Sequence, residues 1–313
     1  MATAARLVRH GAPLRIEDVD LPEPGAGEVR VDLAFGGVNP VDRYTAQGTV
    51  APDGPVPRTL GGEASGHVDG RPVLVAGAGL GARRDGVWAT AAVVPQASVV
   101  PLPDGVELRD AAAMGVAGLT AWNVLSDAGV GEGDRVLVLG ASGGVGQVVV
   151  SLAASLGAQV CGQTGNAGKV DAVRRQGADR VVVADAGALG DAVAGFAPTV
   201  VVDPLGGGFT GAALRLLQTH GRLVLFGTSA DSEGTLPLQQ LYRKGLRVFG
   251  YAGLLLSDDA RRAGLASALD ALADGRLRVT VDRVVRLDEV DEAFRLIVDR
   301  AVTGKVLLDL SRG

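Results

Sequence analysis

The sequence predicts an α/β protein: a parallel sheet covered by helices on both faces, flanked along the chain by β-rich segments. Three observations predict this. Between Arg135 and Tyr251, short runs of nearly pure Val and Leu alternate with longer segments of helical spacing, as expected of strands buried on both faces. Toward both chain ends, apolar residues recur at every second position, the period of half-buried strands. Finally, VLVLGASGGVGQVVVSLAASLGAQV (Val136–Val160) sets Gly140, Gly143, Gly144 and Gly146 between a strand-like run and a helix-like run.

Taken in order, AARLVR, LRIEDVDL and EVRVDLAFGGV alternate at period two, with PEPGAGE as a turn between them. GHVDGRPVLVAGAG and VWATAAVVPQASVVPLP continue short strands punctuated by Gly and Pro. From about Arg109 the spacing becomes helical, and LRDAAAMGVAGLTAWNVLSDAG ends on Gly129, a helix stop. Strands are then expected at 135–139, 159–162, 180–183, 199–203, 221–227 and 246–251. Helices are expected at 144–156, 166–176, 187–194 and 208–218. SDDARRAGLASALDALADGRL reads as an amphipathic helix capped by Ser257 or Asp258. The remainder, to LLDL, reads strand, helix, strand. No internal repeat or low-complexity linker interrupts the chain.

Composition narrows the function. The 313 residues are 47% hydrophobic and 21% charged, which predicts a packed core. Aromatics are only 4%, so that core is built mainly from Val, Leu and Ala. The net charge is -5 and no basic tract exceeds two residues. This argues against nucleic acid and anionic membranes as partners. No apolar run approaches the ~20 residues of a membrane span. The N-terminus carries no secretory leader pattern. Cys161 is the only cysteine, which precludes an intramolecular disulfide and a cysteine-cluster zinc site. A cytoplasmic location is expected.

The glycine turn carries the chemistry. Gly140-x-x-Gly143-x-x-Gly146, between a buried strand and a helix, bares backbone N–H groups to a pyrophosphate, and the helix N-terminus adds partial positive charge. Ser142, Gly143, Gly144 and Val145 are the candidate phosphate contacts. NAD-specific sites place Asp or Glu at the end of the second strand. Here no carboxylate occurs between Gln159 and Lys169. Thr164, Asn166 and Lys169 stand there instead, with Arg174 and Arg175 beyond, a set suited to a 2′-phosphate. NADPH is therefore the expected cofactor. The alternative for Lys169 is a solvated helix face.

With these motifs placed, the sequence resembles the zinc-independent medium-chain dehydrogenases/reductases, in the quinone oxidoreductase branch that includes zeta-crystallin. The resemblance spans essentially the whole chain. It is carried by GGVNPVDRYTAQGTV (36–50), PRTLGGEASGHV (57–68), MGVAGLTAWNVL (114–125), ASGGVGQ (141–147), VVDPLGG (201–207), GRLVLFG (221–227) and AVTGKVLLDL (301–310). It implies a GroES-like, partly open β-barrel catalytic domain over 1–118 and 256–313. It also implies a Rossmann NADP(H)-binding domain over 119–255, with the active site in the cleft between the two.

Zinc-containing relatives carry a Cys in the first active-site loop and a His-Glu pair in the second. Here Asn39 stands near the Cys position, and Gly62 precedes Glu63 where His is expected. No metal is therefore expected, and His67 reads as structural. Without a Lewis acid, conjugate reduction of a quinone or an α,β-unsaturated carbonyl compound is favoured over alcohol oxidation. Asn39 and Tyr44 are the candidate catalytic residues. Tyr44 either donates to the carbonyl oxygen or forms an apolar wall. Asn39 either donates or orients the loop or the nicotinamide ribose. Asp42 reads as a helix cap.

The resemblance adds further cofactor contacts: Thr120, Phe226, Gly227, Tyr251, Gly253 and Lys305. The alternative for Lys305 is a solvated strand residue. The family tyrosine near the 2′-phosphate is replaced by Ala184 or Asp185, which loosens the preference for NADPH. Arg83 and Arg84 either serve an anionic acyl-CoA, making the protein an enoyl-thioester (acrylyl-CoA-like) reductase, or sit on an exposed hairpin tip. A non-enzymatic, crystallin-like NADPH-binding role is the third reading. The resemblance also implies a homodimer through the edge strand near Leu246–Tyr251, where LRVFGY is apolar enough to be such an edge.

Overall fold

The computed structural model describes residues 1–311. The chain divides into two compact units: Met1–Leu119 with Leu254–Asp274 and Val279–Gly313, and Thr120–Gly253 with Gly275–Arg278.

The first unit opens with β1 (Ala2–Leu7), β2 (Arg15–Val19), β3 (Glu28–Val38), α1 (Pro40–Gln47), β4 (Arg58–Thr59), β5 (Glu63–Val68), β6 (Arg71–Ala76), β7 (Ala91–Pro95) and β8 (Val99–Pro101). Two helices follow, α2 (Leu108–Ala111) and α3 (Met114–Asp127), the latter crossing into the second unit. Helical spacing across 108–129 is thus split into two helices.

The second unit contains β9 (Arg135–Val138), α4 (Gly144–Ser155), β10 (Gln159–Thr164), α5 (Val170–Arg175), β11 (Arg180–Val183), α6 (Leu189–Ala192), β12 (Val200–Asp203), α7 (Gly207–Leu216), β13 (Arg222–Leu225), α8 (Leu238–Arg243) and β14 (Arg247–Gly250). Its six strands pair in parallel in the order β11-β10-β9-β12-β13-β14. Numbered from β9, this is the 3-2-1-4-5-6 order of a Rossmann sheet, with a topological switch point between β9 and β12. Leu137, Leu139, Val201, Leu214 and Leu223 belong to the core packed against it.

The chain then returns to the first unit as α9 (Asp258–Ala273), β15 (Val281–Arg286), α10 (Val290–Val298) and β16 (Lys305–Asp309). Ser257 is the α9 cap, accepting the N–H of Ala260 at 3.2 Å. Residues 275–278, which the sequence reading groups with the terminal segments, sit with the second unit. Ser151 Oγ accepts the Arg278 N–H at 3.0 Å, and the Arg278 guanidinium donates to Gln176 O at 3.1 Å.

The first unit holds a sheet ordered β15-β16-β3-β5-β6-β8, in which β7 also pairs with β3, and a three-stranded sheet β2-β1-β4. Val31, Leu33, Leu60, Val73, Trp88 and Leu308 share one core. The Trp88 indole N–H donates to Gly37 O at 3.2 Å. Because β16 pairs antiparallel with β3 and β3 with β5, the start of β16, the end of β3 and the start of β5 come together. This places residues 39, 63 and 305 at one end of the sheet.

Candidate functional site

In the second unit, the glycine turn follows β9 at the carboxyl edge of the sheet, beside the switch point. Gly140 takes a left-handed backbone (φ +59°), which glycine adopts at little cost. Gly146 sits where a Cβ would collide with Gly140 O and lie 2.8 Å from Ala141 Cα, so helix and turn pack backbone against backbone. The Gln147 N–H bonds back to Gly143 O at 3.0 Å. The preceding N–H groups of the first turn have no intrahelical acceptor, the general condition of a helix start.

Buried side-chain amides hold this turn. Gln163 Oε1 accepts the Gly140 N–H at 2.9 Å, Gln163 O accepts the Ala141 N–H at 2.8 Å, and Gln163 Nε2 donates to Ala184 O at 2.6 Å. Gln147 Nε2 donates to Ser142 O at 3.2 Å, and Gln147 Oε1 accepts from Gln176 Nε2 at 3.1 Å. The Ser142 and Thr164 hydroxyls lie 3.0 Å apart. Asn166 caps the turn after β10, its Oδ1 accepting the Gly168 N–H at 2.8 Å, and Lys169 follows, partly buried. Asp185 Oδ1 accepts the Ala188 N–H at 2.9 Å, a capping contact just past β11.

The other carboxyl-edge residues come from neighbouring strands. Phe226 and Gly227 follow β13, with the Phe226 N–H bonded to Asp203 O at 3.0 Å. The Tyr251 N–H bonds to Leu225 O at 2.8 Å, and its phenol accepts from Asn123 Nδ2 at 3.2 Å. Gly253 opens the 3-10 turn Gly253–Leu255 after β14, and Thr120 is buried on α3. The sheet thus gathers Ser142–Val145, Thr164, Phe226, Gly227 and Tyr251 along the carboxyl ends of its strands.

In the first unit, four polar side chains form one buried cluster. Asn39, Asp42, Glu63 and Lys305 are each at least nine-tenths buried. Glu63 Oε1 accepts from Lys305 Nζ at 2.7 Å and from Asn39 Nδ2 at 2.6 Å, and Glu63 Oε2 accepts the Val116 N–H at 2.6 Å. Lys305 Nζ also donates to Asn39 Oδ1 at 2.5 Å. Gly115 makes room for this carboxylate, since a Cβ there would lie 2.5 Å from Glu63 Oε2. Asp42 Oδ2 accepts the Asn39 N–H at 2.8 Å, capping α1 as its position suggests. Burial, with the Glu63 carboxylate second, raises Asp42 to about 7. Among the described residues, no group of three or more His, Cys, Asp or Glu side chains is placed to hold a metal ion.

Comparison with known proteins sets these sites in context. Residues 176–308 match the zinc-binding dehydrogenase family model. The chain is 31% identical over 312 residues to mouse quinone oxidoreductase-like protein 2, covering 95% of this chain and 89% of that one. The chain belongs to the medium-chain dehydrogenase/reductase family. The quinone oxidoreductase of Thermus thermophilus, solved alone and with NADPH, superposes with a TM-score of 0.87 at 29% identity, covering 98% of this chain and all of that one (100%). A Mycobacterium tuberculosis phenolphthiocerol/phthiocerol polyketide synthase subunit is 30% identical over 95% of this chain, which matches 14% of that much longer protein.

As a medium-chain dehydrogenase/reductase, the protein is an oxidoreductase with quinone oxidoreductase-like relatives. Its candidate residues divide between the two units. Tyr44 lies on α1 of the first unit, 39% exposed. The Asn39 amide is engaged with both Glu63 and Lys305. Lys305 is 4% exposed, which overturns the reading of it as a solvated strand residue. Arg83 and Arg84 are exposed on the loop after β6. Sequence reasoning missed the site roles of Glu63 and Gln163. The signal for Glu63 was present, since a carboxylate at the mouth of a β-strand beside Gly61-Gly62 demands a partner. Gln163 carried none, because a glutamine at a strand end is unremarked until its neighbours are known.

Proposed function

We propose that this protein is an NADPH-dependent oxidoreductase that delivers hydride to a quinone or an α,β-unsaturated carbonyl compound without zinc. The observation that carries the reading is the glycine turn at the carboxyl end of β9, beside the switch point of a 3-2-1-4-5-6 sheet. The Ser142–Val145 backbone fits a pyrophosphate, as a helix start after a close-packed turn binds anions. Asn166, exposed, and Lys169, partly buried, offer amide and ammonium groups to a 2′-phosphate, with the buried Thr164 hydroxyl behind them against Ser142. Thr120, Phe226, Gly227, Tyr251 and Gly253 line the remainder of the cofactor path. Bound NADPH supplies the hydride.

The donor set at 39, 42, 63 and 305 does not fit zinc. Zinc takes thiolate, imidazole or carboxylate ligands, whereas here an ammonium already lies on the carboxylate at 2.7 Å and on the amide. Lys305 therefore acts as the counter-ion of Glu63, and both act through Asn39 to hold the loop that leads into α1. Asn39, which precedes α1, is a positioning residue in this reading, and Tyr44, on α1, carries the proton donor. Its phenol donates to the oxygen that gains charge as the β-carbon accepts hydride.

An enoyl-thioester reductase is the second reading. It rests on Arg83 and Arg84, exposed on the loop after β6, which would face an anionic acyl-CoA. The same surface logic supports a homodimer. Among the described residues β14 pairs only with β13, and Val248 on it and Leu238 and Tyr242 on α8 are exposed apolar groups. No helix among the described residues is long and apolar enough to cross a membrane.

The test is NADPH oxidation with quinones, simple enones and enoyl-CoAs, with NADH in parallel. Turnover of a quinone or simple enone with NADPH is expected. A preference for enoyl-CoA that is lost in Arg83→Ala or Arg84→Ala selects the second reading. NADPH binding without turnover across the panel selects a non-enzymatic, crystallin-like role.

A further inference from the structure

Beneath the glycine turn the Gln163 side chain makes two hydrogen bonds, and the proposed function leaves it without a role. It is 2% exposed and bridges three segments. Its Oε1 holds the Gly140 N–H at 2.9 Å, its main-chain oxygen holds the next N–H, of Ala141, at 2.8 Å, and its Nε2 holds Ala184 O at 2.6 Å. Gly140 in turn accepts the Gly143 N–H at 3.0 Å and is the residue against which Gly146 packs. Ala184 is the residue after β11, and Asp185, next to it, caps the following turn through the Ala188 N–H at 2.9 Å. One buried amide therefore joins the phosphate turn after β9 to the end of β11. In the proposed site the first of these segments holds the pyrophosphate, and the second is bonded to the end of β10, from which the chain runs into Asn166 and Lys169: the Ala184 N–H donates to Thr164 O at 3.2 Å.

We infer that Gln163 is a positioning residue that couples the pyrophosphate turn to the 2′-phosphate end of the cofactor site, and so sets the preference for NADPH over NADH. The inference rests on the proposed NADPH site. Its logic is that the two cofactors share the pyrophosphate and differ only at the 2′ position. Loss of the Gly140 contact weakens both. Loss of the Ala184 contact releases the end of β11 and weakens NADPH alone. Leaving buried donors and acceptors unsatisfied costs on the order of 1–3 kcal/mol, so the effects are large enough to read.

Two variants separate the contacts. Gln163→Met removes both and fills the same volume. Gln163→Glu keeps the shape. Its buried carboxyl, when protonated, both accepts from Gly140 N–H and donates to Ala184 O. When ionised it loses the donor and adds negative charge beside the phosphates. Dissociation constants for NADPH and NADH are measured by titration calorimetry on the intact chain, with each variant normalised to wild type at the same pH. Gln163→Met is expected to weaken NADPH by about tenfold or more and NADH by less, narrowing the preference. Gln163→Glu is expected to match wild type for NADPH at about pH 5.5 and to fall about tenfold below it at about pH 8, as the carboxyl ionises.

Equal weakening of both cofactors in Gln163→Met, or no pH-dependent gap in Gln163→Glu, overturns the coupling while leaving the NADPH site intact. Failure of wild type to bind either cofactor overturns the site and the coupling together.

Discussion

The Lys305 ammonium lies 2.7 Å from the Glu63 carboxylate, with both side chains almost wholly removed from solvent. The two residues are 242 positions apart, joined by the pairing of β16 with β3 and of β3 with β5. Burying two charges carries a desolvation cost that their attraction repays only when the remaining valences are filled. Asn39 and the Val116 N–H fill them here. Removing one partner leaves a buried charge alone. Lys305→Met is therefore expected to destabilise the protein by about 3–5 kcal/mol in urea denaturation. Adding Glu63→Gln, which keeps an acceptor for Val116, is expected to recover part of that loss. A double variant as unstable as the sum of the single variants contradicts the pairing.

Asp42 makes stability depend on pH in a direction opposite to that of a salt-bridged carboxylate. Its folded value is raised to about 7, against about 4 in an unfolded chain. Between those values the folded protein binds the extra proton. Its contribution is thus fully present below about pH 4 and is lost as pH rises through about 7, at up to about 1.4 kcal/mol per pH unit. Urea midpoints at about pH 5 and about pH 8 check this. Asp42→Asn is expected to lose less stability than wild type over that interval, and equal losses contradict the assignment.

Cys161 is wholly buried on β10, and burial pushes its thiol up to about 11. Since the thiolate is the reactive form, the native protein is expected to leave a disulfide reagent unreacted at about pH 8. After unfolding it is expected to release one equivalent per chain. Rapid reaction of the folded protein contradicts the burial.

Tyr44 tests the chemistry. If its phenol donates to the developing oxyanion, Tyr44→Phe lowers kcat by about 10²-fold, with the NADPH dissociation constant unchanged. Steady-state kinetics on the best acceptor decide it. Unchanged kcat assigns Tyr44 the apolar-wall role instead.

The second unit was the more legible in sequence. β11 spans the expected 180–183, and the other five strands fall on their expected positions to within a few residues. Val and Leu runs buried on both faces leave little ambiguity in such a sheet. Two helices begin or end short of their spacing. The segment from 166 starts with a 3-10 turn at Ala167–Lys169 before α5, because Asn166 caps that turn with its side chain. α6 covers only Leu189–Ala192 of the expected 187–194.

What escaped the sequence was made by tertiary pairing or by short polar elements. α8 has Leu238 and Tyr242 exposed rather than a buried stripe, so no periodicity announced it. α1 was legible only as a cap at Asp42. The glycine turn itself was evident, because four glycines within seven residues between a strand and a helix mark a place where backbone must come close. The amides that hold it were not, since Gln147 and Gln163 look like surface residues until the sheet order buries them. The Glu63–Lys305 pair lay beyond local pattern altogether, because only strand pairing makes those two residues neighbours.

The most direct test of the whole account is calorimetric titration of NADPH into wild type and into Gly146→Ala. A methyl group at 146 meets Gly140 O and lies 2.8 Å from Ala141 Cα, main-chain atoms that cannot turn aside. Wild type is expected to bind NADPH at one site per chain, and the variant to bind about 10- to 100-fold more weakly. Absence of binding by wild type, or an unchanged affinity in Gly146→Ala, contradicts the proposal that the turn at 140–146 holds the cofactor.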